Sequence, residues 1–262
     1  MSAREDKFLE ISHLTKSYPP AVPGGKPAVI VDDFDLSVAK GEFVSLIGHS
    51  GCGKSTVLSI AAGLLPPTEG GVLVDGREIP GPGTDRGVVF QSPCLLPWMT
   101  ALGNVLLGVE QAKPNASRKE REEIAVHYLE AVGLGASLHK KPGDLSGGMR
   151  QRVGIARALT TDPKALLMDE PFGALDAQTR GKLQDELLQI WQQQRTTVLF
   201  VTHSIDEALL LADRILVFTP RPGRIAADIK VDLPRPRAPQ SPAFTNLARE
   251  LRGLVGADRE ID

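Results

Sequence analysis

Cysteine is scarce in this 262-residue chain: Cys52 and Cys94 are the only two. They show no metal-type spacing, and their scarcity fits a reducing cytosol. Long apolar runs are absent too. No window approaches the roughly 18 apolar residues of a spanning helix, and candidates such as Ala208 to Ala212 end at a charge. The start, MSAREDKF, lacks the apolar run of a signal peptide. Net charge is −2 with no long basic block, so no nucleic-acid partner is expected. Internal repeats are also missing. What remains is 42% hydrophobic and 24% charged, enough for a real core in one large α/β domain, or in one domain with a smaller inserted subdomain.

The pattern along the chain alternates. Strands are expected at Phe8 to Tyr18, Val29 to Val38, Phe43 to Ile47, Gly71 to Val74 and Gly87 to Phe90. The stretch from Pro19 to Pro27 reads as a loop, and a helix follows from Lys54 until Gly63 stops it. From Gln91 to about Arg157 the pattern is mostly helical, with Ser117 and Glu120 forming a capping box and Ser146 placed to cap a later helix. Strands resume at Ala165 to Asp169, Thr196 to Thr202 and Ile215 to Phe218. Leu183, Leu187, Ile190 and Trp191 mark one apolar helix face between the first two. Ser204 with Glu207 predicts a second capping box. LPRPRAPQSP, beyond Val231, reads as an extended tail before a short helix near Phe244 to Leu254. The expected organisation is a 1–230 core with a helical subdomain at about 92–158, then a 231–262 tail.

GHSGCGKST, Gly48 to Thr56, matches G-x-x-x-x-G-K-[ST] between a strand and a helix. Gly48, Gly51 and Gly53 permit a tight path on which the N–H groups of Ser50 to Thr56 wrap phosphate oxygens, with the helix N-terminus adding positive partial charge. His49 and Cys52 lie in the same loop. Lys54 is expected to reach the β- and γ-phosphates and Ser55 to place its hydroxyl on Mg²⁺. A chance glycine turn is the bland alternative. About one chain in a hundred of this size carries the pattern by accident, and the flanking strand and helix favour function.

Asp169 and Glu170 end an apolar strand, where Asp169 suits Mg²⁺ held through water and Glu170 suits polarising the attacking water. A solvated acidic strand end is the alternative. His203 follows the next strand; a lone histidine there is more often structural, but a neighbouring strand brings it toward a γ-phosphate. Gln91 also ends a strand, with an amide for Mg²⁺ or water. Tyr18 suits stacking on adenine, although a tyrosine closing a strand is usually a packing residue. Cys52 beside Lys54 has the setting of an activated thiol, against the simpler reading that a small residue fits there.

Together with Leu145-Ser146-Gly147-Gly148-Met149, these motifs resemble the ATP-binding subunit of ABC transporters over about residues 8–225. On that resemblance Gly48 to Thr56 is Walker A, Gln91 the Q-loop residue, Ala165 to Glu170 Walker B, Ala174-Leu175-Asp176 the D-loop and His203 the switch histidine. The resemblance implies a P-loop NTPase core with an inserted helical subdomain, ATP and Mg²⁺ as ligands, and a head-to-tail dimer. In that dimer Ser146, Gly147 and Gly148 contact the γ-phosphate held by the other subunit, and Asp176 lies at the dimer contact. Met149 departs from the family's commoner Gln and takes no phosphate role. GTDRGVVFQ, LLPWMTALGNV and ADRILVFTPRPGRI look like the nitrate/sulfonate/taurine importer group, and within it the resemblance of GHSGCGKST and HKKP points to nitrate or a related small anion.

The implied protein is an ATPase on the cytoplasmic face of the membrane. Its implied partners are transmembrane permease subunits and an extracytoplasmic solute-binding protein. A soluble ABC ATPase uncoupled from transport is one rival; repair types need a long coiled coil before the signature, and translation types usually carry two ATPase domains. A P-loop small-molecule kinase is another, and it leaves the signature and His203 unexplained. A non-hydrolysing ATP-binding module leaves Glu170 and His203 unexplained.

Overall fold

The computed structural model describes residues 7–20, 24–173 and 175–256. The charged start, part of the early proline loop, Ala174 and the last six residues therefore lie outside the described residues. In chain order the elements are β1 (Lys7–Tyr18), β2 (Ala28–Ala39), β3 (Phe43–Ile47), α1 (Lys54–Ala61), β4 (Glu69–Val74), β5 (Arg77–Glu78) and β6 (Arg86–Val89). α2 (Ala101–Ala112), α3 (Arg118–Ala131), α4 (Gly147–Leu159), β7 (Ala165–Asp169) and α5 (Ala177–Gln194) follow. The chain continues through β8 (Thr197–Val201), α6 (Ile205–Leu211), β9 (Arg214–Phe218), β10 (Ile225–Lys230) and α7 (Pro242–Gly256). It divides into two compact units: one runs to Pro82 and resumes at Thr197, and the other spans Gly83–Thr196.

In the first unit, β1 pairs antiparallel with β2 and β4, and β5 extends that sheet. A second sheet places β3 between β8 and β9, parallel to both, with β10 antiparallel on β9. Every residue of β3 and β8 is buried, the continuous apolar reading of strands covered on both faces. Phe43 stacks against Phe200 at 5.8 Å between ring centroids, and Phe34 against Phe218 at 5.2 Å, so aromatic packing ties strands together across this core.

In the second unit, β6 and β7 pair in parallel, and α2, α3 and α4 pack on one another. The Ser117–Glu120 capping box opens α3 with both of its reciprocal bonds. Asn104, fully buried on α2, accepts from Leu96 N at 2.8 Å and donates to Leu96 O at 3.2 Å. One side chain thus satisfies the loop that leads into α2.

Three expectations need correction. β5 and β10 escape the sequence pattern: β5 is two exposed residues, and β10 (IAADIK) has no buried position and only two β-branched residues. At α6, Ser204 Oγ accepts from Glu207 N at 3.3 Å. The Glu207 carboxylate, however, accepts instead from Thr202 Oγ1 at 2.6 Å, so only half of the expected box forms. The proline-rich tail is a strap. Arg237 donates to Leu209 O at 2.6 Å and Ala212 O at 2.5 Å, and Arg235 to Leu211 O at 2.6 Å and Asp213 Oδ1 at 2.5 Å. Two guanidiniums therefore satisfy the orphan carbonyls at the end of α6.

Candidate functional site

The phosphate loop leaves the buried end of β3 at Gly48. Gly53 holds φ 108° and precedes α1 with no side-chain cap, and the N-terminus of a helix favours an anion. A Cβ on Gly53 would lie 2.7 Å from Val31 Cγ2, so both conformation and space require glycine. Lys54 is 5% exposed, and its ammonium donates to Gly48 O and His49 O, each at 2.8 Å. The loop thus folds around its own cation. Cys52 is buried, with Sγ 3.6 Å from Lys54 Nζ, which matches the small-residue reading more closely than that of an accessible thiol. Ser50, Gly51 and Ser55 are exposed and Thr56 is partly so. A loop with exposed hydroxyl-bearing residues can receive phosphate oxygens.

Two further residues of this unit were expected near the nucleotide. Tyr18 closes β1 opposite Ala28, and its ring is 42% exposed with Lys16 Nζ 5.1 Å from the centroid. That exposure favours a stacking platform over core packing. His203 is exposed and follows β8, whose register with β3 pairs Leu46 with Val201. The two strands therefore end side by side, and His203 emerges next to the start of the phosphate loop. Thr202 N donates to Leu46 O at 3.2 Å, and the Thr202–Glu207 bond fixes the turn that carries the imidazole.

In the second unit, Val89 pairs with Met168, so Gln91 and Glu170 leave neighbouring strands at the same edge. Gln91 Nε2 donates to Glu170 Oε2 at 3.3 Å. Glu170 sits at φ 42°, a left-handed backbone uncommon for a non-glycine residue, and its carbonyl accepts from Gly173 N at 3.1 Å. Asp169, the last residue of β7, is partly exposed while the four before it are buried. The apolar strand thus delivers two carboxylates at its tip, only one of them held by Gln91's amide.

Ser146 caps α4, accepting from Met149 N at 3.2 Å. A Cβ on Gly147 would meet nothing within 4 Å, whereas one on Gly148 would lie 2.5 Å from Thr179 Cγ2. Gly147 is open to a partner; Gly148 is small because α5 packs there. Asp176 caps α5 by accepting from Thr179 N at 2.9 Å, and these hydrogen bonds to Thr179 hold its carboxyl below the usual range. Thr179 joins the signature to the D-loop residue, a role no sequence motif marks. Gln151 and Arg157 of α4 are likewise unmarked: Gln151 donates to Phe90 O at 3.2 Å, and Arg157 to Pro93 O at 2.9 Å and Cys94 O at 3.1 Å. The signature helix thereby grips the segment carrying Gln91.

A family model described as ABC transporter matches residues 31–173. The nitrate import ATP-binding protein NrtD of Synechococcus elongatus is 50% identical over 231 residues, 88% of this chain and 83% of that protein. The bicarbonate transport ATP-binding protein CmpC of the same organism is 47% identical over 259 residues, 97% of this chain but 39% of CmpC. A dimeric structure of the ATP-binding cassette MJ0796, bound to ADP and Pi after hydrolysis, gives a TM-score of 0.76 at 34% identity, over 86% of this chain and 99% of that one. With the phosphate loop, signature helix and paired strand-end carboxylates in place, the chain belongs to the ABC transporter family as a P-loop ATPase.

Proposed function

We propose that this chain is the ATP-hydrolysing subunit of an importer for a small monovalent oxyanion. The relatives named for nitrate and for bicarbonate support that class, since both solutes are planar oxyanions of single charge. The observation that carries the catalytic reading is Glu170, held in a left-handed turn with its carboxylate against the Gln91 amide.

In this reading the amides within Ser50 to Thr56 and the Lys54 ammonium bind the triphosphate, and Tyr18 stacks on adenine. Glu170 orients and deprotonates the attacking water, and His203 donates to the γ-phosphate. Each residue stabilises charge that shifts as the γ-phosphoryl group moves, which is where preorganised donors act most strongly. Ser146, Gly147 and Gly148 serve the nucleotide of a second copy, and Asp176 lies at that contact.

Ser55, Gln91 and Asp169 supply a hydroxyl, an amide oxygen and a carboxylate. Oxygen donors of these kinds suit Mg²⁺, and the Gln91 amide nitrogen is the atom engaged by Glu170. When bound, the ion neutralises phosphate charge. Among the described residues no helix is long and apolar enough to cross a membrane. The chain's place is peripheral, on the inner face against permease subunits, with an extracytoplasmic binding protein delivering the solute. Reconstitution with permease subunits and a solute-binding protein that copurify with the chain tests this: nitrate or bicarbonate should stimulate ATP hydrolysis and taurine should not. Stimulation by taurine alone would move the solute class to sulfonates.

A further inference from the structure

His49 is the second residue of the phosphate loop, and its ring reaches the C-terminal helix. Its Nε2 lies 2.8 Å from Val255 O, which requires the proton on Nε2 and makes the imidazole the donor. Val255 is in the last turn of α7, where helix carbonyls have no intrahelical partner and carry the negative end of the dipole. The backbone of the same residue faces inward: His49 O accepts from Lys54 Nζ at 2.8 Å and from Cys52 N at 3.4 Å. One residue thus joins the C-terminal helix to the cation of the phosphate loop.

The helix is held well enough to act as a support. Phe244, Ala248 and Leu251 form its buried face, and it packs on α6 and β9. Arg252 reaches Asp206 at 3.1 Å in the first turn of α6, three residues beyond His203. The strap before it is fixed by Arg235 and Arg237 at the other end of α6.

We propose that α7 positions the phosphate loop through the Val255 carbonyl and the His49 ring, so that docking of this helix and binding of ATP are linked. This rests on the reading that the loop binds ATP. A docked α7 fixes the His49 peptide, and with it one of the two carbonyls that place Lys54; a withdrawn α7 leaves that peptide free to rotate. Linkage is reciprocal: nucleotide in the loop stabilises the docked helix by the same factor.

The experiment uses the full chain and AMP-PNP with Mg²⁺. Amide exchange in residues 249–256 should slow at least about fivefold on saturation, the low end of ordinary coupling. His49→Ala should raise the KM for ATP by about the same factor while kcat stays within about twofold, and His49→Gln, which keeps a donor at the ε position, should restore it. Arg252→Glu, an exposed change that sets like charge against Asp206, should reproduce the KM increase, and His49→Ala should add nothing to it. If His49→Ala does not fold, exchange and Arg252→Glu still decide. Unchanged exchange at 249–256 in a protein that binds AMP-PNP overturns the linkage, and so does a wild-type KM in Arg252→Glu. Failure of the unaltered chain to bind AMP-PNP instead overturns the ATPase reading itself.

Discussion

Gln91 Nε2 and Glu170 Oε2 lie 3.3 Å apart, one from the end of β6 and one from the end of β7, in strands that run parallel in register. The contact unites the sensor-like amide and the acidic strand end, which sequence reading treats separately. The amide donates to the carboxylate and so orients it. Glu170→Gln should bind ATP normally, lose hydrolysis by about 10²–10⁴-fold and accumulate an ATP-bound dimer visible by size exclusion. Gln91→Ala should slow turnover less, by about tenfold or more, and should cost little further in the Glu170→Gln background because the two act as a unit. Full additivity would show that the contact has no part in turnover.

Gly148 and Thr179 form a second pair. A Cβ at Gly148 would sit 2.5 Å from the Thr179 γ-methyl, closer than real contacts allow. Gly148→Ala should therefore push the start of α4 away from α5, lowering stability by about 1–3 kcal/mol and weakening ATP-driven dimerisation. Thr179→Ser removes the obstructing methyl and should recover most of both losses in the double variant. Urea midpoints and sedimentation with ATP measure the two effects.

The legible parts of the fold are those in which chemistry demands a residue type at a fixed spacing. The glycines before Lys54, the carboxylates ending an apolar strand and the serine opening α4 could all be placed before any coordinates. Contacts between residues distant in sequence could not. Thr179 under Gly148, Gln151 on the Phe90 carbonyl and His49 on the Val255 carbonyl use ordinary residue types whose partners are set by tertiary packing. The tail shows the same limit. Its prolines correctly indicate irregular backbone, but nothing local reveals that Arg235 and Arg237 fold back onto the last carbonyls of α6.

Asp176 gives a prediction in pH. Its carboxyl is held below the usual value by hydrogen bonds from Thr179. A depressed folded pKa means that the unfolded chain binds the proton more readily. The cap's electrostatic contribution is therefore fully present above the ordinary carboxylate value of 3.8 and is lost as pH falls through the lower folded value. Asp176→Asn keeps a capping oxygen that does not titrate. The stability difference between the natural chain and Asp176→Asn should be constant from pH 7 to 5 and should shrink below pH 4. A difference that widens in acid would contradict the assignment.

Arg237 tests whether the strap is structural. Burial lowers its pKa to about 10, with Arg235 adding to the effect, yet it remains charged at neutral pH. Its guanidinium serves Leu209 O, Ala212 O, Val231 O and Leu233 O, four carbonyls from the end of α6 and from the strap itself. Lysine has no planar fork with which to serve that arrangement. Arg237→Ala should leave buried acceptors unpaired and lower stability by about 1–3 kcal/mol, and Arg237→Lys should recover less than half of that loss. Because folded Arg237 has the lower pKa, its charged form gains nothing from burial, so the stabilisation must come from the hydrogen bonds. The loss in Arg237→Ala should then change little between 50 mM and 500 mM salt; a loss that disappeared at high salt would mark the strap as a screened surface ion pair.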